Sequence, residues 1–128
     1  MGCKSADPAD APASPLAMTP GVAHNFMVQQ LGNNSLHVID VRTTQEFNDG
    51  HIEGARHIDW FTQSQELLAL NKTDTYIVYC HSGNRSQKAA AFMRENGFKR
   101  VINMTGGIQA WRATMPSLTP SPQDNVMN

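Results

Sequence analysis

Cysteine is scarce in this chain of 128 residues, which carries two, Cys3 and Cys80. Two cysteines make neither a disulfide framework nor a zinc site. They sit in different settings, Cys3 in a terminal tail and Cys80 at the end of an apolar run, so nothing pairs them. The five histidines, His24, His37, His51, His57 and His81, lack the i, i+3 or i+4 spacing that puts two ligands on one helix face. No metal and no cofactor is expected. Lysine and arginine form no run and the formal net charge is −1, so a nucleic-acid or acidic-membrane surface has no electrostatic footprint. No apolar stretch approaches the ~18 residues of a membrane-spanning helix. Nothing demands more than a monomer.

What is present is ordinary for one globular domain: 40% hydrophobic and 16% charged residues, enough to bury a single core. Residues 1–17 are built from Pro, Ala, Asp and Ser with almost nothing to bury, and read as a flexible tether. Residues 117–128 have the same character and read as a flexible tail, which leaves 18–116 as the folded unit.

Within that unit strands and helices alternate. Thr19-Pro20 is a helix start, with Thr as N-cap and Pro at the first helical position. Val22, Phe26, Met27 and Leu31 then form an apolar stripe that Gly32 ends. Leu36–Val41 reads as a strand, Thr43–Asn48 as a short helix, Ala55–Ile58 as a short strand and Phe61–Leu70 as a weak helix. Thr75–Tyr79 (TYIVY) is a continuous β-prone run, as in a strand covered on both faces. Ser86–Asn96 is helical, with Ala89, Ala90, Phe92 and Met93 towards the sheet; Arg100–Met104 is a strand and Gly106–Ala113 a helix. This alternation predicts an α/β fold with a parallel sheet and helices on both faces.

In such sheets ligands bind beyond the carboxyl ends of the strands, where Cys80 falls. Between it and the next helix lies His81-Ser82-Gly83-Asn84-Arg85-Ser86. Gly83 and Asn84 tolerate unusual backbone angles, so several N–H groups can turn inward, and the following helix adds its partial positive charge. The expectation is a cup of donors around one sulfur with the Arg85 cation at its rim. The competing reading of Cys80 is a small buried apolar side chain.

Three motifs then resemble the rhodanese-like family in its single-domain form. They are DVRTTQEFNDGHIEGARHI (Asp40–Ile58), YCHSGNRS (Tyr79–Ser86) and GFKRVINMTGGIQAW (Gly97–Trp111). The resemblance implies a three-layer α/β/α domain with a central, mainly parallel five-stranded sheet. It implies sulfane-sulfur transfer through a persulfide on Cys80, the amides from His81 to Ser86 cradling it and Arg85 binding an anionic donor such as thiosulfate. The acceptor would be cyanide or a thiol. A persulfide carrier or a partner-binding module is the alternative. A phosphatase is a weaker rival, because four residues separate Cys80 from Arg85 where the phosphatase relatives have five.

Asp40, Arg42, Glu46 and His51 are read as scaffold for the first motif, with His51 half-buried. Gly106-Gly107 is read as a tight turn, Trp111 as core, and His81 as solvent-facing. His81 and Arg56 keep the alternative of lying against the substrate. Gly2-Cys3 ahead of the polar tether resembles the start of a mature bacterial lipoprotein, with Met1 in place of a signal peptide. Lys4 then resembles the residue type that permits export to the outer membrane. That reading predicts a periplasmic domain anchored through Cys3; the alternative is a cytoplasmic protein with an incidental cysteine in a disordered tail. The myristoylation pattern fits worse, since Ala6 stands where Ser or Thr is expected.

Overall fold

Side chains along Thr75–Tyr79 alternate between two cores, and that alternation organises the molecule. Tyr76 and Val78, continued by Cys80, pack with Ile39, Val41, Ala89, Ala90, Met93 and Val101 on one face. Ile77 and Tyr79 pack with Ala23, Ile102, Met104, Ile108 and Trp111 on the other. A strand buried on both faces needs helices on both, which is the α/β/α layering expected.

The computed structural model describes residues 16–115. Cys3 and the segments 1–15 and 116–128 lie outside the described residues, and with them most of the expected tether and tail. The elements run β1 (Ala17–Met18), α1 (Pro20–Gln29), β2 (Leu36–Asp40), α2 (Thr44–Asn48), β3 (Arg56–His57) and α3 (Trp60–Gln63). A 3-10 helix (Ser64–Ala69) follows, then β4 (Thr75–Tyr79), α4 (Asn84–Glu95), β5 (Arg100–Met104) and α5 (Gly107–Thr114). The five strands lie in the order β1-β5-β4-β2-β3, and each neighbouring pair is parallel. After β2 the chain moves outward to β3; after β4 it moves the opposite way to β5. The carboxyl ends of β2 and β4, where Asp40 sits beside Tyr79, therefore flank the topological switch point, the preferred place for a ligand crevice.

Two local expectations change, and one strand is new. Val22 is 53% exposed and Leu31 81% exposed, so the inward stripe of α1 is Pro20, Ala23, Phe26 and Met27. The helix ends at Gln29, leaving Leu31 beyond its last turn. Strand β1 carries no sequence signal of its own. It is held by β5, with the Asn103 and Thr105 amides donating to the carbonyls of Leu16 (3.0 Å) and Met18 (2.8 Å). The weak helix expected over 61–70 is a four-residue α3 followed by the six-residue 3-10 segment.

Candidate active site

Cys80 leaves the end of β4 buried, and its Sγ accepts a hydrogen bond from the Gly83 amide at 3.0 Å. The reversal that brings Gly83 back over the sulfur needs φ +109 there, a left-handed angle that glycine adopts without a Cβ penalty. Helix α4 starts at Asn84, two residues earlier than expected. Arg85 and Ser86 therefore stand in its first turn rather than in a loop. The Ser86 hydroxyl lies 3.4 Å from Sγ. Burial pushes the Cys80 thiol up; the Ser86 hydroxyl and the amides of Ser86, Gly83 and Ser82 outweigh it and hold the thiol below its ordinary value.

The loop rests on the start of α5. The Ile108 amide donates to the Cys80 carbonyl (2.8 Å) and the Gln109 amide to the His81 carbonyl (3.1 Å). Gly107, at φ +61, makes this approach possible: a Cβ there would land on the Cys80 and His81 carbonyls. The Gly106-Gly107 turn thus supports the sulfur loop from below.

Ser86 has a partner that the sequence reading did not single out. Its Oγ is 2.6 Å from Oδ1 of Asn103 and 3.3 Å from the Gly83 carbonyl. Asn103 lies on β5 and is buried. The available signal was one carboxamide inside the apolar run RVINM, two residues from Val101 and so on the same face as Cys80.

The first motif forms the wall beside the loop. Asp40 accepts from the Arg42 amide (2.9 Å), from Arg42 Nε (3.0 and 3.1 Å) and from its Nη2 (2.7 Å), all buried. Nη2 also donates to the Gly50 carbonyl at 2.7 Å. The Tyr79 hydroxyl accepts from the Ile52 amide at 3.0 Å. Burial drives that phenol far up, so it stays protonated. Phe47 is sandwiched between the rings of His51 (3.7 Å) and His57 (4.7 Å). His51 is exposed rather than half-buried, with Nδ1 2.9 Å from the Phe47 carbonyl. These groups are satisfied by one another, as scaffold residues are.

Arg85 is committed to Glu46. Its Nη1 and Nη2 donate to Oε1 and Oε2 at 2.7 and 3.0 Å, and its guanidinium carbon lies 5.7 Å from the centre of the Phe61 ring. Hydrogen bonds from Arg85, opposed by burial and joined by the Thr43 amide, pull the Glu46 carboxyl down to about 2. His81, Ser82 and Asn84 are exposed around the loop. Arg56 lies apart from it, lining a cavity of about 260 Å³ with His37, Ile39, Asn71, Asp74 and Tyr76. Trp111 is buried in the core, with the His24 ring 5.9 Å away. Among the described residues no three of His, Cys, Asp or Glu come together as a metal-ligand set, and no helix is long and apolar enough to cross a membrane.

Comparison with known proteins agrees with this architecture. The family model of the rhodanese-like domain matches residues 25–114. The thiosulfate sulfurtransferase GlpE of Pseudomonas aeruginosa is 39% identical over 94 residues, covering 73% of this chain and 86% of that protein. YrkF of Bacillus subtilis, named as a proposed sulfur carrier, is 39% identical over 79 residues, covering 62% of this chain and 43% of that one. Among solved structures, the rhodanese-like domain of an Anabaena protein superposes with a TM-score of 0.67 at 25% identity, covering 84% of this chain and 86% of that one. With its three motifs assembled around the buried Cys80 thiol, the chain belongs to the rhodanese-like domain family.

Proposed function

We propose that this protein is a sulfurtransferase that moves a sulfane sulfur from thiosulfate or a similar donor to cyanide or a thiol, through a persulfide on Cys80. One observation carries the reading: the only cysteine among the described residues lies at the floor of a cup of amides, its Sγ 3.0 Å from the Gly83 nitrogen. The Cys80 thiolate attacks the outer sulfur of thiosulfate; the Sγ–S bond forms, the S–S bond of the donor breaks, and its electron pair leaves with sulfite. The acceptor then takes the outer sulfur, and the pair of that S–S bond returns to Sγ as thiolate. Both steps conserve charge, and the cycle is ping-pong.

Ionisation alone gives this chemistry little. For a thiol that titrates above ambient pH, each unit of lowered pKa raises the thiolate fraction about tenfold but reduces intrinsic nucleophilicity about threefold. The larger contribution of the loop is to offer N–H dipoles to an anionic donor approaching an anionic sulfur, and to the persulfide anion that forms. Ser82, Gly83, Asn84 and Ser86 supply those dipoles, with His81 and Arg85 at the rim. Formation of thiocyanate from thiosulfate and cyanide, with parallel-line kinetics and none in Cys80→Ala, is the expected result; full activity in that variant overturns the reading.

The similarity to YrkF supports a second reading, a persulfide carrier. It shares the first half of the cycle and differs in slow release to small acceptors. We further propose that Cys3, in the triplet Gly2-Cys3-Lys4, carries a lipid that holds the domain at a periplasmic membrane surface; fatty-acid labelling of Cys3 in cells tests it.

A further inference from the structure

We infer that Glu46 is a specificity-determining residue, which neutralises Arg85 and so tilts the site from dianionic inorganic donors towards singly charged organic ones. The inference rests on the sulfur-transfer reading and deepens it.

The cation that a dianionic donor would seek is Arg85, in the first turn of α4. Among the described residues its hydrogen-bonding partner is Glu46, which takes both guanidinium ends in a fork. The Glu46 side chain is itself built in. Its Oε1 accepts from the Thr43 amide at 3.0 Å, one half of the capping box of α2, so the carboxylate cannot swing away without breaking that half of the box. The other buried charges nearby, Asp40 and Arg42, already cancel. The mouth therefore presents the Cys80 sulfur and a closed ion pair, and an incoming donor meets N–H dipoles rather than a free cation.

The rim also has an apolar side. Asp59 caps α3 by accepting from the Phe61 amide at 2.8 Å, and Trp60 turns inward against the Phe92 ring. That places Phe61 outward, 67% exposed, against the guanidinium of Arg85. A large exposed aromatic beside a neutralised cation suits the organic body of a thiosulfonate or persulfide better than a hydrated thiosulfate dianion.

The test compares the full chain with Glu46→Gln, because glutamine preserves the capping bond and removes the charge. Three sulfur-reactive probes differ in charge: thiosulfate (dianion) and benzenethiosulfonate (monoanion) as donors to cyanide, and iodoacetamide (neutral) as alkylator of the Cys80 peptide. In both donor reactions Sγ takes the outer sulfur and the electron pair leaves with sulfite or benzenesulfinate. Glu46→Gln is expected to lower the KM for thiosulfate about tenfold and that for benzenethiosulfonate about threefold, with iodoacetamide, which feels the freed cation only through the thiolate fraction, changed least. Glu46→Gln/Arg85→Gln, which deletes the pair without changing net charge, is expected to return the ratio of the two KM values to that of wild type. A common factor on all three probes would make Glu46 merely structural and overturn the inference. Selective loss of thiosulfate in the double variant would overturn it too, showing that Arg85 grips the donor despite Glu46. If wild type transfers sulfur from neither donor, the sulfur-transfer reading itself falls, and this inference with it.

Discussion

The Ser86 hydroxyl lies 2.6 Å from Oδ1 of Asn103 and 3.4 Å from Sγ of Cys80. It has one proton and three acceptors within reach, the Gly83 carbonyl at 3.3 Å being the third, and the nearest is the carboxamide. Removing each residue should therefore move Cys80 in opposite directions. Ser86→Ala deletes a donor to the thiolate and is expected to slow alkylation of Cys80 at neutral pH about three- to tenfold. Asn103→Ala leaves the Ser86 proton to be shared between sulfur and the Gly83 carbonyl, and is expected to speed it. Peptide-resolved alkylation across the pH range reads both, and slowing in both variants would contradict the competition.

Glu46 links acid stability to the same rim. Its folded carboxyl is held at about 2 against an ordinary value of 4.5. Its contribution is then fully present above about 4.5 and lost as pH falls towards 2. Both partners of the pair are partly exposed, which limits the contribution to about 0.5–1 kcal/mol. Urea denaturation of wild type and Glu46→Gln should differ by that amount near neutral pH, and the gap should narrow as pH drops. A gap independent of pH would remove the ion pair as its cause.

Gly107 and Gly21 make a matched pair of substitutions. Gly107→Ala combines a left-handed φ with a Cβ on the Cys80 and His81 carbonyls, and is expected to cost about 2–4 kcal/mol and to displace the sulfur loop. Gly21→Ala sits in the first turn of α1 with open space around its Cβ, and is expected to be neutral or to stabilise by up to about 1 kcal/mol. Thermal melting with activity at room temperature measures both. A harmless Gly107→Ala would mean that α5 does not support the loop.

Phosphate esters should not be substrates. Four residues separate Cys80 from Arg85, and Arg85 is bonded to Glu46. A ring of amides tight enough for one sulfur atom leaves no donors about 2.7–3.1 Å from every oxygen of a phosphoryl group. Aryl phosphate hydrolysis is expected at background. Hydrolysis that disappears in Cys80→Ser would place the chain in another reaction class.

Much of this was legible in the sequence because the signals are local. TYIVY declared a strand covered on both faces, and Cys80 followed it into a Gly/Asn turn at a helix start. Asp40 and Arg42, two positions apart, each read as scaffold from the first motif, and the structure pairs them. What was not legible depends on partners distant in the chain. Glu46 meets Arg85 across 39 residues, and neither residue betrays the other locally. β1 exists because β5 offers it a ladder, not because Ala17 and Met18 favour one. The rotation of α1 was misread because Val22 and Leu31 are apolar yet face solvent, and a ten-residue helix holds too few turns for periodicity to decide.

The central claim is that sulfur resides on Cys80 between the two halves of the reaction. Mass spectrometry of the peptide carrying Cys80, after thiosulfate and removal of excess donor, tests it directly. The account predicts a gain of one sulfur atom on that peptide, released as one equivalent of thiocyanate by cyanide and absent from Cys80→Ala. Turnover with no sulfur ever found on Cys80, or with sulfur on Cys3 instead, would contradict it.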